Sequence, residues 1–121
     1  MLINELSKRT GVSPHTLRFY EKSGLIKGSR DENVTSNNYY HYDEETVERL
    51  ELISYAKEVG FTINEIAEII DAWFNNIYSK EEKLAILDRK LASIERKISD
   101  LKEMSNRVLL YKEHIKFDLE Y

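Results

Sequence analysis

Between Leu84 and Val108 the residues Leu84, Leu87, Leu91, Ile94, Ile98, Leu101, Ser105 and Val108 fall at alternating intervals of three and four. Such a stripe is the a/d seam of a coiled coil, and no glycine or proline interrupts it. Ser79 and Glu82 have the spacing of a capping box, which starts the helix at residue 80. One helix with so narrow an apolar stripe cannot bury it against a small domain at its end, so a second chain is the simplest partner. Residues 80–113 are therefore expected to form a coiled-coil dimerisation helix. Ser105 is the polar exception on the seam, where it fixes register or lies near the helix end. Residues 114–121 form a short tail with Ile115, Phe117, Leu119 and Tyr121 as an alternating apolar set, to continue the helix or to pack on the partner.

The chain ahead of the seam reads as shorter helices. Ile3 and Leu6 mark a first helix over residues 3–10, and Gly11 supplies the turn after it. Ser13 can cap a second helix, and Pro14 suits its first position, where a missing N–H costs nothing. That helix, residues 14–22, carries Leu17 toward a core and offers His15, Thr16, Arg18 and Tyr20 as donors. Two helices joined by so short a turn have the geometry of a helix-turn-helix, which lays its second helix in a DNA major groove. Gly24, Leu25 and Ile26 are expected to leave the helix and begin a short strand. Residues 27–38 are polar and aperiodic, a loop, and Tyr39 to Tyr42 suits the returning strand of a β-wing. Asp43 caps a third helix to about Val59, with Val47, Leu50, Ile53 and Ala56 or Lys57 on one face, and Gly60 stops it. Thr62 and Glu65 form a further capping box, opening a fourth helix with Ile63, Ile66, Ala67, Ile70 and Phe74 inward. Residues 1–74 are thus expected to be a winged helix-turn-helix domain, and residues 75–79 a connection.

At 121 residues the chain has room for one small domain and an extension. With no cysteine, disulfides and thiolate metal sites are excluded. His15, His41 and His114 are scattered without i, i+4 pairing, so neither a metal nor another cofactor is expected. Glu44, Glu45, Glu81 and Glu82 fall in first helical turns, where the helix dipole accounts for them. No glycine-rich phosphate loop occurs and no nucleophile sits beside a plausible base, so the chain is not read as an enzyme. There is no long apolar run and no signal-peptide pattern, which makes a cytoplasmic protein with no membrane partner the expectation. The net charge of −4 is unevenly shared: residues 1–42 carry six basic and four acidic side chains, giving +2, against −6 for the rest. Positive charge therefore collects where phosphate would lie.

These blocks resemble the MerR family of bacterial transcription regulators. The family's second helix reads TLR-aromatic-YE followed by GL, matched here by Thr16, Leu17, Arg18, Phe19, Tyr20 and Glu21, then Gly24 and Leu25. Asn38 to Leu50 is similar to its second wing strand and third helix, and Glu58 to Ile66 to its third-to-fourth helix junction. The blocks keep the family order and spacing over about the first seventy residues. The resemblance implies a homodimer held by an antiparallel coiled coil on a pseudo-palindromic promoter operator. It further implies promoter distortion that realigns elements for RNA polymerase. One residue departs from the pattern: Tyr40 stands where the family usually has an arginine on the wing, which removes a charged phosphate contact.

The candidate DNA-contact residues are Ser13, His15, Thr16, Arg18, Phe19, Tyr20, Lys22, Lys27, Arg30 and Tyr39. Arg18 and Tyr20 suit phosphate, His15 and Thr16 base edges, and Phe19 a sugar or thymine methyl. Trp73, Phe74 and Tyr78 cluster where the domain meets the long helix. They read as hinge packing or as an aromatic pocket for an effector whose identity the sequence does not give. Two other classes fit parts of the pattern: an excisionase-like architectural protein that bends DNA, and a coiled-coil interaction module with weakened DNA binding.

Overall fold

The computed structural model describes residues 1–30, 40–76 and 78–117, and divides into two compact units, Met1–Tyr78 and Ser79–Tyr121.

In the first unit, α1 (Ile3–Thr10) ends at Gly11, whose φ of 74° is costly for any residue with a Cβ. Its N–H donates to the Ser7 carbonyl, closing the helix. The chain enters α2 (Pro14–Lys22) three residues later, with the Ser13 Oγ accepting the Thr16 N–H at 3.2 Å. Leu6 of α1 and Leu17 of α2 have no exposed surface and seat the two helices on a common core.

The strand expected at Gly24–Ile26 does not form there. The Leu25 N–H is spent on the Tyr20 carbonyl (2.9 Å), which wraps the chain around the end of α2. Leu25 and Ile26 turn inward as core residues, and β1 begins only at Ser29. β1 (Ser29–Arg30) pairs antiparallel with β2 (Tyr40–His41), Ser29 opposite His41 and Arg30 opposite Tyr40. Residues 31–38 of the expected wing loop, and Tyr39 of the expected returning strand, lie outside the described residues.

α3 (Glu44–Glu58) starts at Asp43, whose Oδ1 accepts both the N–H and the hydroxyl of Thr46. Leu50, Ile53 and Ala56 form its buried face, with Val47 half-buried and Lys57 exposed. Gly60, at a φ of 86°, ends the turn that follows. α4 (Ile63–Ile70) has a complete capping box between Thr62 and Glu65. Its buried residues are Ile66, Ile69 and Ile70. Ala67, expected inward, is exposed: Ile69 is buried beside Ile66 and Ile70, which turns the buried face away from Ala67. Ile63 and Phe74 are half-buried. The helix runs on through a π-helical turn, Asp71–Asn75, so Asn75 belongs to the helix and not to the connection.

In the second unit, α5 (Lys80–Lys116) is one helix of 37 residues, opened by a complete capping box between Ser79 and Glu82. It passes residue 113, so the start of the expected tail is helix; Leu119 and Tyr121 lie outside the described residues. Among the described residues, no helix is long and apolar enough to cross a membrane.

Candidate nucleic-acid interface

His15, Arg18, Phe19 and Lys22 stand at i, i+3, i+4 and i+7 on α2, and all four are exposed. Leu17 and Tyr20 are buried and hold the helix by its other side. Sequence alternation between core and surface has thus put an imidazole, a guanidinium, an ammonium and an aromatic ring on a single outward face. Phe19 is 49% exposed, its ring centroid 6.1 Å from that of Tyr20. Tyr20 itself is 3% exposed, so of the two roles read for it, packing is the one its surroundings favour.

At the start of α2, the Ser13 hydroxyl accepts the Thr16 N–H and donates to Thr16 Oγ1 at 3.0 Å. Both side chains fix the first turn while remaining within reach of solvent. Lys57 reaches this region from α3, its Nζ 5.8 Å from the Tyr20 ring centroid. Ser13, Thr16, Tyr20 and Lys57 line one shallow groove. The sequence reading had Lys57 only as an alternative core residue; its cation stands beside α2 because Ala56 takes the inward position.

The wing leaves from the opposite end of α2. Lys27 is exposed, and the Arg30 backbone pairs with Tyr40. Tyr39 lies outside the described residues. Below the strands, Glu21 accepts the Gly28 N–H at 3.0 Å and the Tyr42 hydroxyl at 3.2 Å. Burial first, then the negative charge of Glu21, pushes the Tyr42 phenol up to about 12, while Arg18 pulls it the other way. Arg18, Glu21 and Tyr42 therefore share one electrostatic neighbourhood at the wing root.

Two further contacts brace the domain. Arg9 grips Glu44 through both guanidinium nitrogens (2.6 and 2.8 Å), tying the end of α1 to the start of α3. That bond holds the Glu44 carboxyl below its usual range. The Tyr42 N–H donates to the Met1 carbonyl at 2.7 Å, so the first residue is tied to the end of β2.

Trp73, Phe74 and Tyr78 are half-buried. The Arg49 guanidinium lies 5.2 Å from the Phe74 ring centroid and donates to Asn75 Oδ1 at 2.8 Å. One face of Phe74 is thus already taken by a cation of its own unit. Among the described residues, no three His, Asp or Glu side chains come together as metal ligands, and the sequence has no cysteine.

On α5, the seam residues Leu84, Leu87, Leu91, Ile98, Leu101 and Val108 are 41–64% exposed, with Ile94 half-buried.

A short-turned helix pair, a two-stranded wing and a polar, basic outward helix face are the parts of a winged helix-turn-helix DNA-binding protein. The MerR HTH family regulatory protein profile matches residues 1–73, and the MerR DNA-binding profile residues 47–109. The transcriptional regulator CueR of Yersinia pestis is 36% identical over 110 residues, covering 90% of this chain and 76% of its own. The transcription regulator PbrR691 from Ralstonia metallidurans CH34, solved in complex with lead(II), superimposes with a TM-score of 0.81 at 26% identity. That match covers 93% of this chain and 85% of PbrR691. HiNmlR, a MerR family regulator lacking the sensor domain and solved bound to promoter DNA, shares the fold at a TM-score of 0.60 and 21% identity. It is covered over 97% of its length, and this chain over 98%. The chain belongs to the MerR family of DNA-binding transcription regulators.

Proposed function

We propose that the protein acts as a homodimer on a pseudo-palindromic promoter operator, with two α2 helices in major grooves and two wings on the flanking phosphates. The observation that carries this is the exposed seam of α5, whose leucines, isoleucine and valine stand open to solvent in the single chain. An antiparallel coiled coil with a second copy covers them and fixes the separation of two DNA readers. On α2, Arg18 and Lys22 take phosphates, His15 and Thr16 face base edges, and Phe19 offers apolar contact. Ser13 presents the helix start, while Lys27, Arg30 and Tyr39 serve the wing. Held in this way, the dimer bends the promoter and realigns its elements for RNA polymerase. HiNmlR, a MerR family regulator solved bound to promoter DNA, supports this use of the fold. With no thiolate to offer, the chain does not take a soft metal through cysteine as effector.

The test is a comparison of Arg18→Ala with the wild type on a selected operator at several salt concentrations. Loss of one phosphate contact per chain should weaken binding alike across operator variants and lower the salt slope by about one per chain. Unchanged affinity and slope would remove α2 from the groove.

A further inference from the structure

β1 and β2 pair over two residues each, and a hairpin that short has little hold of its own. Its root is gripped by one side chain. Glu21 Oε1 accepts the Gly28 N–H at 3.0 Å, and the Tyr42 hydroxyl donates to Oε1 and Oε2 at 3.2 and 3.3 Å. Gly28 immediately precedes β1 and Tyr42 immediately follows β2, so a single carboxylate on α2 takes a donor from each end of the hairpin. The fit leaves no room for a larger residue. A Cβ on Gly28 would lie 2.8 Å from the Tyr40 Cβ, and 3.0 Å from both Glu21 Oε1 and Tyr42 Cε1. Tyr42 is buried and keeps its proton over the whole ordinary pH range, which makes it a permanent donor.

An acid on a helix that meets DNA is unfavourable toward phosphate unless its charge is used elsewhere. Here it is used by two donors from the wing. Glu21 stands one turn beyond Arg18 on α2, so whatever fixes the hairpin to Glu21 also fixes it to the outward face of that helix.

We propose that Glu21 is the positioning residue that sets the wing against α2, so that strand hairpin and helix reach the duplex in one register. This rests on the DNA-binding assignment. It makes Glu21 a determinant of wing contacts without itself touching DNA.

The full chain, as wild type, Glu21→Ala, Glu21→Gln and Tyr42→Phe, is measured on a duplex selected from a random library. Affinity, backbone footprint and thermal unfolding are read for each. Glu21→Ala should bind about tenfold more weakly and lose protection at the flanking phosphates, with protection under α2 retained. Glu21→Gln should restore the flanks, because one amide oxygen can accept both donors, as Oε1 does now. Tyr42→Phe should show a smaller loss at the same phosphates, and it decides the matter if Glu21→Ala does not fold. Flanking protection equal to wild type in Glu21→Ala would overturn the proposal. So would a loss spread evenly over the footprint in step with unfolding, which would mark Glu21 as a stability residue alone. A wild type that binds no selected duplex would instead overturn the DNA-binding assignment, and the proposal with it.

Discussion

In residues 1–78 the large apolar side chains close on one another: Leu6, Leu17, Leu25, Ile26, Leu50, Ile53, Ile66 and Ile70 are all fully buried. In α5 Ile86 is buried, but Leu91, Ile98, Leu101, Met104, Val108 and Ile115 stand exposed along its length. Both regions are rich in large apolar side chains, yet most of those in α5 are left uncovered within the single chain. A domain that completes its own core has a stability independent of concentration. A helix that needs a second copy has one that rises with protein concentration.

The comparison breaks most severely at the seam. Leu91→Asp combined with Ile98→Asp replaces two side chains whose burial is worth about 1.5–3 kcal/mol each with charges that an apolar interface rejects. On the proposed dimer, light scattering should show the wild type at twice the chain mass and the variant as monomer; a wild-type monomer would overturn the dimer, and a variant still dimeric would place the interface elsewhere. Leu17→Ala attacks the other side of the comparison. Deleting a fully buried leucine should lower the domain's stability by about 2–5 kcal/mol in chemical denaturation, with the proposed dimer intact by light scattering. Dissociation alongside unfolding would mean that the two regions depend on one another.

A smaller effect separates them by pH. Hydrogen bonds from the Thr46 backbone and hydroxyl hold the Asp43 carboxyl below its usual value in the folded domain. A carboxyl so depressed stabilises the fold above its unfolded pKa, and that contribution is lost as pH falls through the folded value. The domain should therefore weaken below about pH 4. Asp43→Asn, which keeps a capping oxygen but has no proton to gain, should flatten that part of the profile in acid titrations followed by circular dichroism.

What was legible in the sequence was mainly what is local. Ser13, Asp43, Thr62 and Ser79 each cap a helix by reaching three residues ahead, and such spacing is visible in a string of letters. The long helix α5 was legible for the same reason, since the period of its apolar residues belongs to one helix. Leu25 and Ile26 misled because a short apolar run suits a strand as well as a core turn. The choice between them rests on where the Leu25 N–H goes, which no local pattern records. Arg9 with Glu44, 35 residues away, and Glu21 with Tyr42, 21 away, were invisible because either end alone is an ordinary surface charge or wing tyrosine. Lys57 was legible as a position but not as a neighbour of Tyr20, since only the packing of α3 brings the two together.

The capping box at Ser79 and Glu82 has a consequence for how such regulators diversify. The start signal of α5 is written in its own first residues, so the helix needs no instruction from the segment encoded before it. A gene rearrangement that joins a different Ser-x-x-Glu helix after residue 78 would bring its own initiation with it, and the upstream reading frame would keep its DNA reader complete.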